Sequence, residues 1–584
     1  MYNFHDVLKQ YWGYDSFRSL QEEIIISVYE RKDTLGLMPT GGGKSLTFQI
    51  PTLLMEGICI VVTPLIALMK DQVDVLRQKG IKAAMLHSGM SHPEILVALE
   101  NCIFGDYKFL YVSPERLGTD LFIAKLKDMN VCLIAVDESH CISQWGYDFR
   151  PSYLQIADLR DLLPEVPVLA LTATATPEVI DDIQEKLRFR EKNVFRKSFE
   201  RKNIAYVIRK TEDKLFEILK ILHNIPGSSI VYVRSRKRTK EITAELQKQG
   251  VDADFFHAGL TADEKVRKQN DWKSGKCRVM VCTNAFGMGI DKPDVRTVVH
   301  FELPNSLEEY FQEAGRAGRD GQKAYAVALY STRDEGLLKK RINDEFPDKD
   351  FICEVYEKLA YFFEIGMGMG VCTGHNFVIE RFCGAYHYNS THVHSALKIL
   401  DLAGYIEYLE ETDKHSKLLF TVNRDDLYHI RSLDPSLEYL IQVLLRSYTG
   451  LFSDYIYISE TLLSQRTGMT PQAVYEGLKI LSFQNIIHYI PARKVPTIYY
   501  LRDREEIKRL AIPKAVYEER RKRLKERVEN VIRYGSSSEI CRSRILLNYF
   551  GEKDAGDCGH CDVCLAEKKK RQRKMERFLA DNNN

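Results

Sequence analysis

A glycine-rich segment near the N-terminus has the residue types and the setting of a phosphate-binding loop. It follows an apolar, strand-like stretch and precedes a helix-like one, and its polar part consists of Thr40, Gly41, Gly42, Gly43, Lys44 and Ser45. Glycines let backbone N–H groups converge on phosphate oxygens, a lysine neutralises phosphate charge, and a serine hydroxyl coordinates Mg²⁺. Met38 departs from the general pattern, which has glycine there. We expect nucleotide phosphates to bind here, and an ordinary glycine-rich turn is the alternative.

Two carboxylates follow a strand-like run. The apolar run Val131 to Val136 is typical of a buried parallel strand, and Asp137 and Glu138 come directly after it. Carboxylates at such a strand end face the ligand crevice of a parallel sheet. We expect Asp137 to hold Mg²⁺ through water, together with Ser45, and Glu138 to orient the water that attacks the γ-phosphate. A solvated acidic turn is the alternative.

A third group lies in the segment from Gln312 to Arg319. Arg316 and Arg319 are three residues apart, so on a helix both would point to one face. Guanidinium groups suit the charge that builds on a transferring γ-phosphate, so we predict that Gln312, Arg316 and Arg319 take part in catalysis. Surface arginines are common, and this prediction therefore depends on the two preceding motifs.

Four cysteines near the C-terminus have the spacing of a metal site. They are Cys541, Cys558, Cys561 and Cys564. Four thiolates can close a tetrahedral zinc site. An iron–sulfur cluster is the rival, but the bacterial ferredoxin pattern continues with a cysteine where this chain has Lys568. We expect zinc, with His560 as a bystander.

The composition is that of an ordinary globular protein. The 584 residues include 83 Lys and Arg against 81 Asp and Glu, so the net charge of +2 is no global signature of nucleic-acid binding, and any DNA affinity must be local. The longest apolar run, residues 57–69, is shorter than the roughly 18 residues of a membrane-spanning helix. Thirteen cysteines with one cluster suit a reducing compartment. We expect a cytoplasmic protein, nucleoid-associated if bacterial, without signal peptide or membrane span.

The elements that must position these groups alternate along the chain. From about residue 30 to 330, short apolar runs alternate with helical stretches and pause near residue 205, which predicts two α/β lobes with parallel sheets. Beyond residue 336, a helix followed by short strands appears twice, in the order of a winged helix. Chance recurrence of this short pattern is the alternative.

The second copy of this pattern predicts a basic wing. Ile486 to Ile490 and Thr497 to Leu501 are typical of two strands of a hairpin, whose tip would carry Arg493 and Lys494 between two prolines. Such a projection could contact DNA phosphates. A plain surface hairpin is the alternative.

We therefore predict an α/β protein of five parts. These are an ATP-binding lobe (1–205), a second lobe (206–335), a winged-helix-like α+β region (336–510), a small helical zinc-binding module (511–566) and a basic flexible tail (567–584).

These motifs resemble those of superfamily-two helicases, and within them the RecQ family, over residues 1 to about 330. The segment 14–21 is similar to that family's adenine-recognition segment, which implies that Tyr14 and Arg18 flank the base and Gln21 bonds its edge. Met38 is also usual in that family. Four further segments resemble the remaining helicase motifs in order: 61–73, 111–117, 171–176 and 285–293. The resemblance implies two RecA-like lobes, DNA phosphate contacts from the first two segments, lobe coupling by 172–176, and Asp291 near the ATP ribose.

The segment 143–151 is similar to the aromatic-rich loop with which the family senses single-stranded DNA. The resemblance implies that Trp145 and Phe149 stack on bases and that Arg150 adds charge. Two positions depart from the family: Tyr147 stands where His is usual, and Ser139 where Ala is usual. Without the resemblance, a buried hydrophobic loop would be the preferred interpretation.

The segments 541–544 and 546–552 resemble the RecQ zinc-binding module, but about two hundred residues separate it from the motor, where the family has it directly adjacent. The resemblance implies an ATP-dependent DNA helicase that uses ATP, Mg²⁺ and Zn²⁺, moves 3′ to 5′ on single-stranded DNA and unwinds forked duplexes in DNA repair or recombination. The alternatives are RNA unwinding, a zinc-containing winged-helix regulator with a vestigial ATPase, and a duplex translocase that separates no strands. Protein partners are not predicted.

Overall fold

The computed structural model describes residues 3–18, 20–39, 41–87, 90, 92–144, 146, 149–287, 292–371, 373–410, 416–422, 434–452, 455–491 and 495–581. The chain divides into two compact units. The first contains residues 1–88, 98–338 and 526–584, and the second contains residues 89–97 and 339–525.

A seven-stranded parallel sheet forms the first lobe, because each of its central strands is a short apolar run that is buried on both faces. The strands are β1 (Thr34–Leu37), β2 (Ile58–Val62), β3 (Ala83–Leu86), β4 (Phe109–Val112), β5 (Val131–Val136), β6 (Val168–Thr172) and β7 (Val194–Arg196). Their order is β3-β4-β2-β5-β6-β1-β7. The carboxyl ends of β1, β6 and β5 therefore lie side by side at one edge, with β6 in the middle.

Helices connect these strands. They are Phe4–Trp12, Gln21–Tyr29, Leu46–Leu54, Ile66–Gln78, His92–Phe104, Asp120–Leu126, Leu159–Leu162 and Pro177–Lys186, with 3-10 helices at Pro114–Arg116, Ser139–Ile142 and Pro151–Asp158.

A six-stranded parallel sheet forms the second lobe. Its strands are β8 (Ile204–Lys210), β9 (Ser228–Tyr232), β10 (Ala253–Phe256), β11 (Val279–Cys282), β12 (Val295–His300) and β13 (Ala324–Tyr330), in the order β10-β11-β9-β12-β13-β8. Its helices are Lys214–Asn224, Arg236–Lys248, Ala262–Lys273, Leu307–Ala314 and Thr332–Glu345. Both predicted α/β lobes are confirmed, and the second sheet begins at Ile204.

The second unit contains two small antiparallel sheets. The strands are β14 (Gly374–Asn376), β15 (Ile406–Leu409), β16 (Ser416–Phe420), β17 (Ile456–Ile458), β18 (Ile487–Ile490) and β19 (Thr497–Tyr500). Their orders are β14-β19-β15 and β17-β16-β18. The helices are Lys349–Phe362, Ile379–Tyr386, Ser390–Leu402, Pro435–Ser447, Glu460–Thr467 and Pro471–Phe483, with a 3-10 helix at Ile507–Arg509.

The two antiparallel sheets belong to two nested modules, and the prediction of a hairpin between β18 and β19 is wrong. β18 pairs with β16, whereas β19 pairs with β15 and β14. The described part of residues 416–490 therefore forms an inner module, inserted between two adjacent strands of an outer one. Each module has its own core: Ile498 and Tyr500 belong to the outer core, Ile487 and Tyr489 to the inner one. Consecutive strands β18 and β19 therefore belong to different sheets. The predicted tip residues Arg493 and Lys494 lie outside the described residues.

Three helices complete the chain: Glu518–Ser536, Arg542–Tyr549 and Asp562–Asp581. The last one covers residues 567–581, for which the sequence predicts a flexible tail, and most of its side chains there are exposed. Among the described residues, no helix combines the length and apolarity needed to cross a bilayer.

Candidate active site and metal centre

The glycine-rich loop joins β1 to the helix Leu46–Leu54. Gly41 and Gly43 have φ values of +80° and +75°, a backbone region that favours glycine. A Cβ built on Gly43 would lie 2.3 Å from Nε2 of Gln21. Both positions therefore require glycine, and Lys44 and Ser45 follow at the start of the helix. Thr40 lies outside the described residues.

The predicted adenine-recognition segment contacts this loop directly. Nε2 of Gln21 donates to the carbonyl oxygens of Gly42 and Gly43 at 3.2 and 3.1 Å. The Arg18 guanidinium donates to the carbonyl oxygen of Gly41 at 2.9 Å. Tyr14 is half-exposed. The segment and the phosphate loop thus form one continuous surface.

The carboxylates that follow β5 face the same loop. Nζ of Lys44 lies 3.7 Å from Oε1 of Glu138. Glu138 has a φ of +48°, unusual for a residue other than glycine, and its backbone N–H donates to Oδ1 of Asp137 at 3.0 Å. Residues with such a strained backbone conformation are concentrated at functional sites.

Burial raises the pKa of Asp137 to about 6, although the Lys44 charge opposes this shift. Burial also acts against ionisation of Glu138. However, the charges of Lys44, His140 and Arg316 outweigh it and hold the pKa of that carboxyl below its ordinary value. Glu138 is therefore an ionised group in a dry setting, as a carboxylate that orients water must be.

His140 is a site residue that the sequence analysis did not single out. Its Nδ1 lies 2.9 Å from Oγ1 of Thr172, the last residue of β6, and the imidazole is fully buried. Nδ1 also lies 3.4 Å from Oε2 of Glu138. His140 thus links the acidic pair to the 172–176 segment, and its place in the Asp-Glu-Ser-His motif was the signal for it.

The predicted catalytic residues Gln312, Arg316 and Arg319 lie in residues 312–319, called here the arginine segment. It begins in the helix Leu307–Ala314, which contains Gln312. Residues 315–320 form turns, so Arg316 and Arg319 do not share a helical face, contrary to prediction. Both arginines nevertheless reach the first lobe. A Cβ built on Gly41 would lie 3.4 Å from Cγ of Arg319, and the charge of Arg316 acts on Glu138.

Arg201 and Asn203 hold this segment in place. The Arg201 guanidinium donates to the carbonyl oxygens of Gly315, Ala317 and Gly318 at 3.0 to 3.1 Å. Nδ2 of Asn203 donates to the Gly318 carbonyl at 2.7 Å. No local motif marks these two residues, because their partners lie more than a hundred positions away along the chain.

A buried histidine and glutamate lie near Arg316. Nε2 of His300 is 2.9 Å from Oε2 of Glu313. Burial raises the pKa of Glu313 to about 8, against the charges of Arg316 and Arg234. Burial lowers the pKa of His300 to about 3. Both shifts favour the neutral forms of these side chains near pH 7, and the tautomer of His300 decides which of the two atoms donates.

The aromatic-rich loop (143–151) begins directly after the 3-10 helix Ser139–Ile142. That helix follows Asp137 and Glu138, and residues 137–140 are called here the acidic motif. Phe149 and Arg150 are half-buried, and the Arg150 guanidinium donates to the carbonyl oxygen of Pro64 at 3.4 Å. A Cβ built on Gly146 would lie 2.6 Å from the carbonyl oxygen of His140. The loop therefore packs closely on the acidic motif. Trp145, Tyr147 and Asp148 lie outside the described residues, as does Asp291.

The four C-terminal cysteines come together. Their sulfur atoms all lie within 4.8 Å of one another, and those of Cys541 and Cys561 are 3.9 Å apart. A tetrahedron with Zn–S distances of about 2.3 Å has edges of about 3.8 Å, so the cluster fits zinc. His560 is a bystander, since its ring nitrogens contact the carbonyl oxygens of Cys558 and Ile204. The predicted zinc site is confirmed.

Four family models match the chain. They are DEAD/DEAH box helicase at residues 18–183, helicase conserved C-terminal domain at 211–321, RecQ helicase winged-helix domain of Bacteroidota at 418–491, and RecQ zinc-binding at 501–565. The winged-helix match begins within β16 and ends just after β18, so it covers the inner module.

Curated relatives agree with these matches. The ATP-dependent DNA helicase RecQ of Bacillus subtilis is 46% identical over 331 residues, which cover 56% of each chain. The RecQ of Haemophilus influenzae is 43% identical over 335 residues, 57% of this chain and 54% of the relative. The Probable ATP-dependent DNA helicase RecS of Bacillus subtilis is 40% identical over 364 residues, 62% of this chain and 73% of the relative. The chain spans about half the length of the two RecQ relatives. With an ATP-binding helicase core, a winged-helix match and a four-cysteine zinc site, the chain belongs to the RecQ family of helicases.

Proposed function

We propose that this protein is a DNA-stimulated ATPase that moves 3′ to 5′ along single-stranded DNA and unwinds forked duplexes in DNA repair or recombination. The observation that carries the proposal is the meeting of two lobes at one loop. Lys44 and Glu138 come from the first lobe, and Arg316 and Arg319 reach them from the second. Because the site is assembled from two lobes, its geometry changes when the lobes move relative to each other. ATP binding and hydrolysis are therefore linked to lobe movement, and lobe movement drives translocation.

Each residue has a chemical task in this proposal. Lys44 leaves Glu138 to neutralise the β- and γ-phosphates, and Glu138 then orients the attacking water. Arg316 and Arg319 stabilise charge on the transferring phosphoryl group. Ser45 and Asp137 would hold Mg²⁺, which when bound neutralises charge on the β- and γ-phosphate oxygens.

Nucleotide recognition and lobe coupling use the neighbouring contacts. Arg18 and Gln21 hold the carbonyl groups of the phosphate loop, so adenine bound beside Tyr14 would stabilise the loop geometry. His140 connects Glu138 to Thr172 and so relates the hydrolytic site to the segment 172–176, which is proposed to couple the lobes. Asp291 is proposed to approach the ribose.

Single-stranded DNA is proposed to bind the aromatic-rich loop, where Trp145 and Phe149 would stack on bases and Arg150 would supply charge. Described cysteines form no disulfide, which suits work in the reducing cytoplasm, on the nucleoid if the cell is bacterial.

The test is ATP-dependent unwinding of 3′-tailed, 5′-tailed and forked duplexes, with ATP hydrolysis measured in parallel. We expect unwinding of the 3′-tailed and forked substrates and loss of it in Arg319→Ala. Lys248→Ala, an exposed lysine on the second lobe, is the matched control and should behave as wild type. DNA-stimulated hydrolysis without strand separation would replace the helicase with a duplex translocase, and absent hydrolysis would contradict the proposal.

A further inference from the structure

One arginine of the predicted zinc-binding module (511–566) contacts both α/β lobes. Arg527 lies in the helix Glu518–Ser536, and its guanidinium donates to the carbonyl oxygen of Gly146 in the first lobe at 2.8 Å. Its Nε lies 4.0 Å from Oε1 of Glu308 in the second lobe. The side chain of Arg527 is 20% exposed and that of Glu308 only 5%, so both contacts are largely shielded from water.

The Glu308 contact leads to the arginine segment. Glu308 stands in the first turn of the helix Leu307–Ala314, whose other end continues into residues 315–319. The hydroxyl of Tyr310 in this helix accepts a hydrogen bond from Tyr534, which lies in the same helix as Arg527, at 3.2 Å. This helix connects Glu308 directly to the turns that carry Arg316, so it is the covalent path between the two residues.

The Gly146 contact leads to the acidic motif. Gly146 lies in the middle of the aromatic-rich loop, and its N–H donates to the carbonyl oxygen of Ser143 at 3.0 Å. The close approach of Gly146 to the His140 carbonyl leaves no space for a side chain. If bound DNA displaces this loop, it also displaces the Gly146 carbonyl oxygen, which accepts the hydrogen bond from Arg527.

The zinc module also contacts the motor through residues other than Arg527. Glu552 accepts hydrogen bonds from the Ser198 hydroxyl and the Phe199 N–H, each at 2.7 Å. The ring of Phe550 packs against Phe199 with centroids 5.3 Å apart, and Nε2 of His560 contacts the Ile204 carbonyl oxygen at 3.0 Å. These contacts account for the attachment of the zinc module. They do not account for the contacts that Arg527 makes with both lobes.

We propose that Arg527 is a positioning residue that couples the aromatic-rich loop to the arginine segment. One guanidinium serves both Gly146 and Glu308, so displacement of the loop by bound DNA changes the restraint on the helix that leads to Arg316. The coupling is a free energy shared by two distinct sites, and it has a contiguous physical carrier. This inference rests on the proposed roles of the loop and of the arginines.

The experiment measures ATP hydrolysis without DNA and at saturating single-stranded DNA, together with DNA affinity by fluorescence anisotropy, zinc content and melting temperature. Arg527→Ala should reduce the stimulation by DNA about tenfold, while basal hydrolysis and zinc content stay near wild type. Arg527→Lys keeps the charge beside Glu308 but has one compact ammonium, so it should recover only part of the stimulation.

Tyr549→Phe is the matched control. It removes the hydrogen bond that the Tyr549 hydroxyl donates to Oε1 of Glu308 at 2.8 Å, does not alter the loop, and should keep the stimulation. If Arg527 acts through Glu308, then Glu308→Gln combined with Arg527→Ala should lose no more stimulation than Arg527→Ala alone.

Three outcomes would overturn the inference: full stimulation in Arg527→Ala, equal loss of basal and stimulated rates together with a lower melting temperature, or equal loss in Tyr549→Phe. The comparison with Trp145→Ala separates this failure from failure of the proposed function. If Trp145→Ala loses the stimulation but Arg527→Ala does not, only the coupling role is wrong. If wild type shows no stimulation, the proposed function itself fails.

Discussion

Nζ of Lys44 and Oε1 of Glu138 lie 3.7 Å apart, and both side chains are largely buried. The lysine comes from the phosphate loop and the glutamate from the end of β5, two strands away across the sheet. Each charge therefore compensates the other. Bound phosphates would compete with Glu138 for the lysine and release this carboxylate toward the attacking water, so nucleotide binding and activation of the water are linked through one ion pair.

The first prediction tests that link. Lys44→Ala should reduce ATP hydrolysis by roughly a hundredfold or more, because the phosphates and the glutamate lose a shared cation. Glu138→Gln should reduce hydrolysis to a similar extent but keep ATP binding, since the amide preserves shape and removes only the charge. A fluorescent ATP analogue and a phosphate-release assay distinguish the two. Near-normal hydrolysis in either variant would refute the site.

The second prediction concerns zinc. Cys561→Ser should lower both the zinc content, from about one ion per chain, and the melting temperature, because binding free energy at a structural site is also folding free energy. Cys353→Ser removes a cysteine outside the cluster and serves as the control. Elemental analysis and thermal unfolding provide the measurements. Iron with visible absorbance in the wild type would overturn the identity of the metal.

The third prediction follows from the raised pKa of Glu313, which is about 8 in the folded protein. An unfolded glutamate has a pKa of about 4.3, so between these values the folded state binds more protons than the unfolded state. This contribution to stability is complete at low pH and is lost as the pH rises through about 8. The lowered pKa of His300 acts in the opposite direction, but only below about pH 6.5.

Glu313→Gln should therefore flatten the dependence of the melting temperature on pH between 6.5 and 8.5, because the amide can donate to His300 without titrating. Glu241→Gln, which changes an exposed carboxyl of the same lobe, should leave the dependence as in wild type. Identical pH profiles for wild type and Glu313→Gln would show that this carboxyl does not titrate in that range.

Local motifs were predictable from the sequence because their residues lie close together along the chain. The strand Val131–Val136 coincides with its predicted run, since a short apolar run between polar turns has few other ways to be buried. The zinc cluster followed equally from spacing. The roles of Arg201 and Arg527 could not be predicted in this way. Arg527 contacts a residue 381 positions away, and no periodicity reports such a contact.

The prediction of strand pairing in the winged-helix region was wrong for a related reason. β15, β16, β18 and β19 are each four or five residues long and similar in composition, so the sequence indicates that they exist but not which partner each takes. Adjacent strands usually pair, which favoured a hairpin between β18 and β19. The nested arrangement instead pairs β15 with β19 across an insertion of almost ninety residues.

The nested arrangement leads to the last prediction. Leu409 and Thr497 are direct partners at the point where the chain leaves the outer sheet and returns to it. Replacing residues 410–496 by Asn-Gly should therefore close a two-residue hairpin, because that dipeptide suits the tight turn between antiparallel strands. The outer core, with Ile498 and Tyr500, contains no described residue of the inner module and should remain intact.

We expect the shortened protein to fold, to keep its zinc and to hydrolyse ATP without DNA at a rate within about twofold of wild type, since the catalytic groups lie in the other unit. The matched control begins the deletion inside the inner module. Replacing residues 435–490 by Asn-Gly leaves β16 without β17 and β18 and exposes the remaining apolar side chains of the inner core, such as Leu418 and Phe420. This control should aggregate or melt at a lower temperature. Thermal unfolding and size-exclusion chromatography compare the two deletions. An aggregated 410–496 deletion beside a stable 435–490 deletion would contradict the nested pairing of β15 with β19.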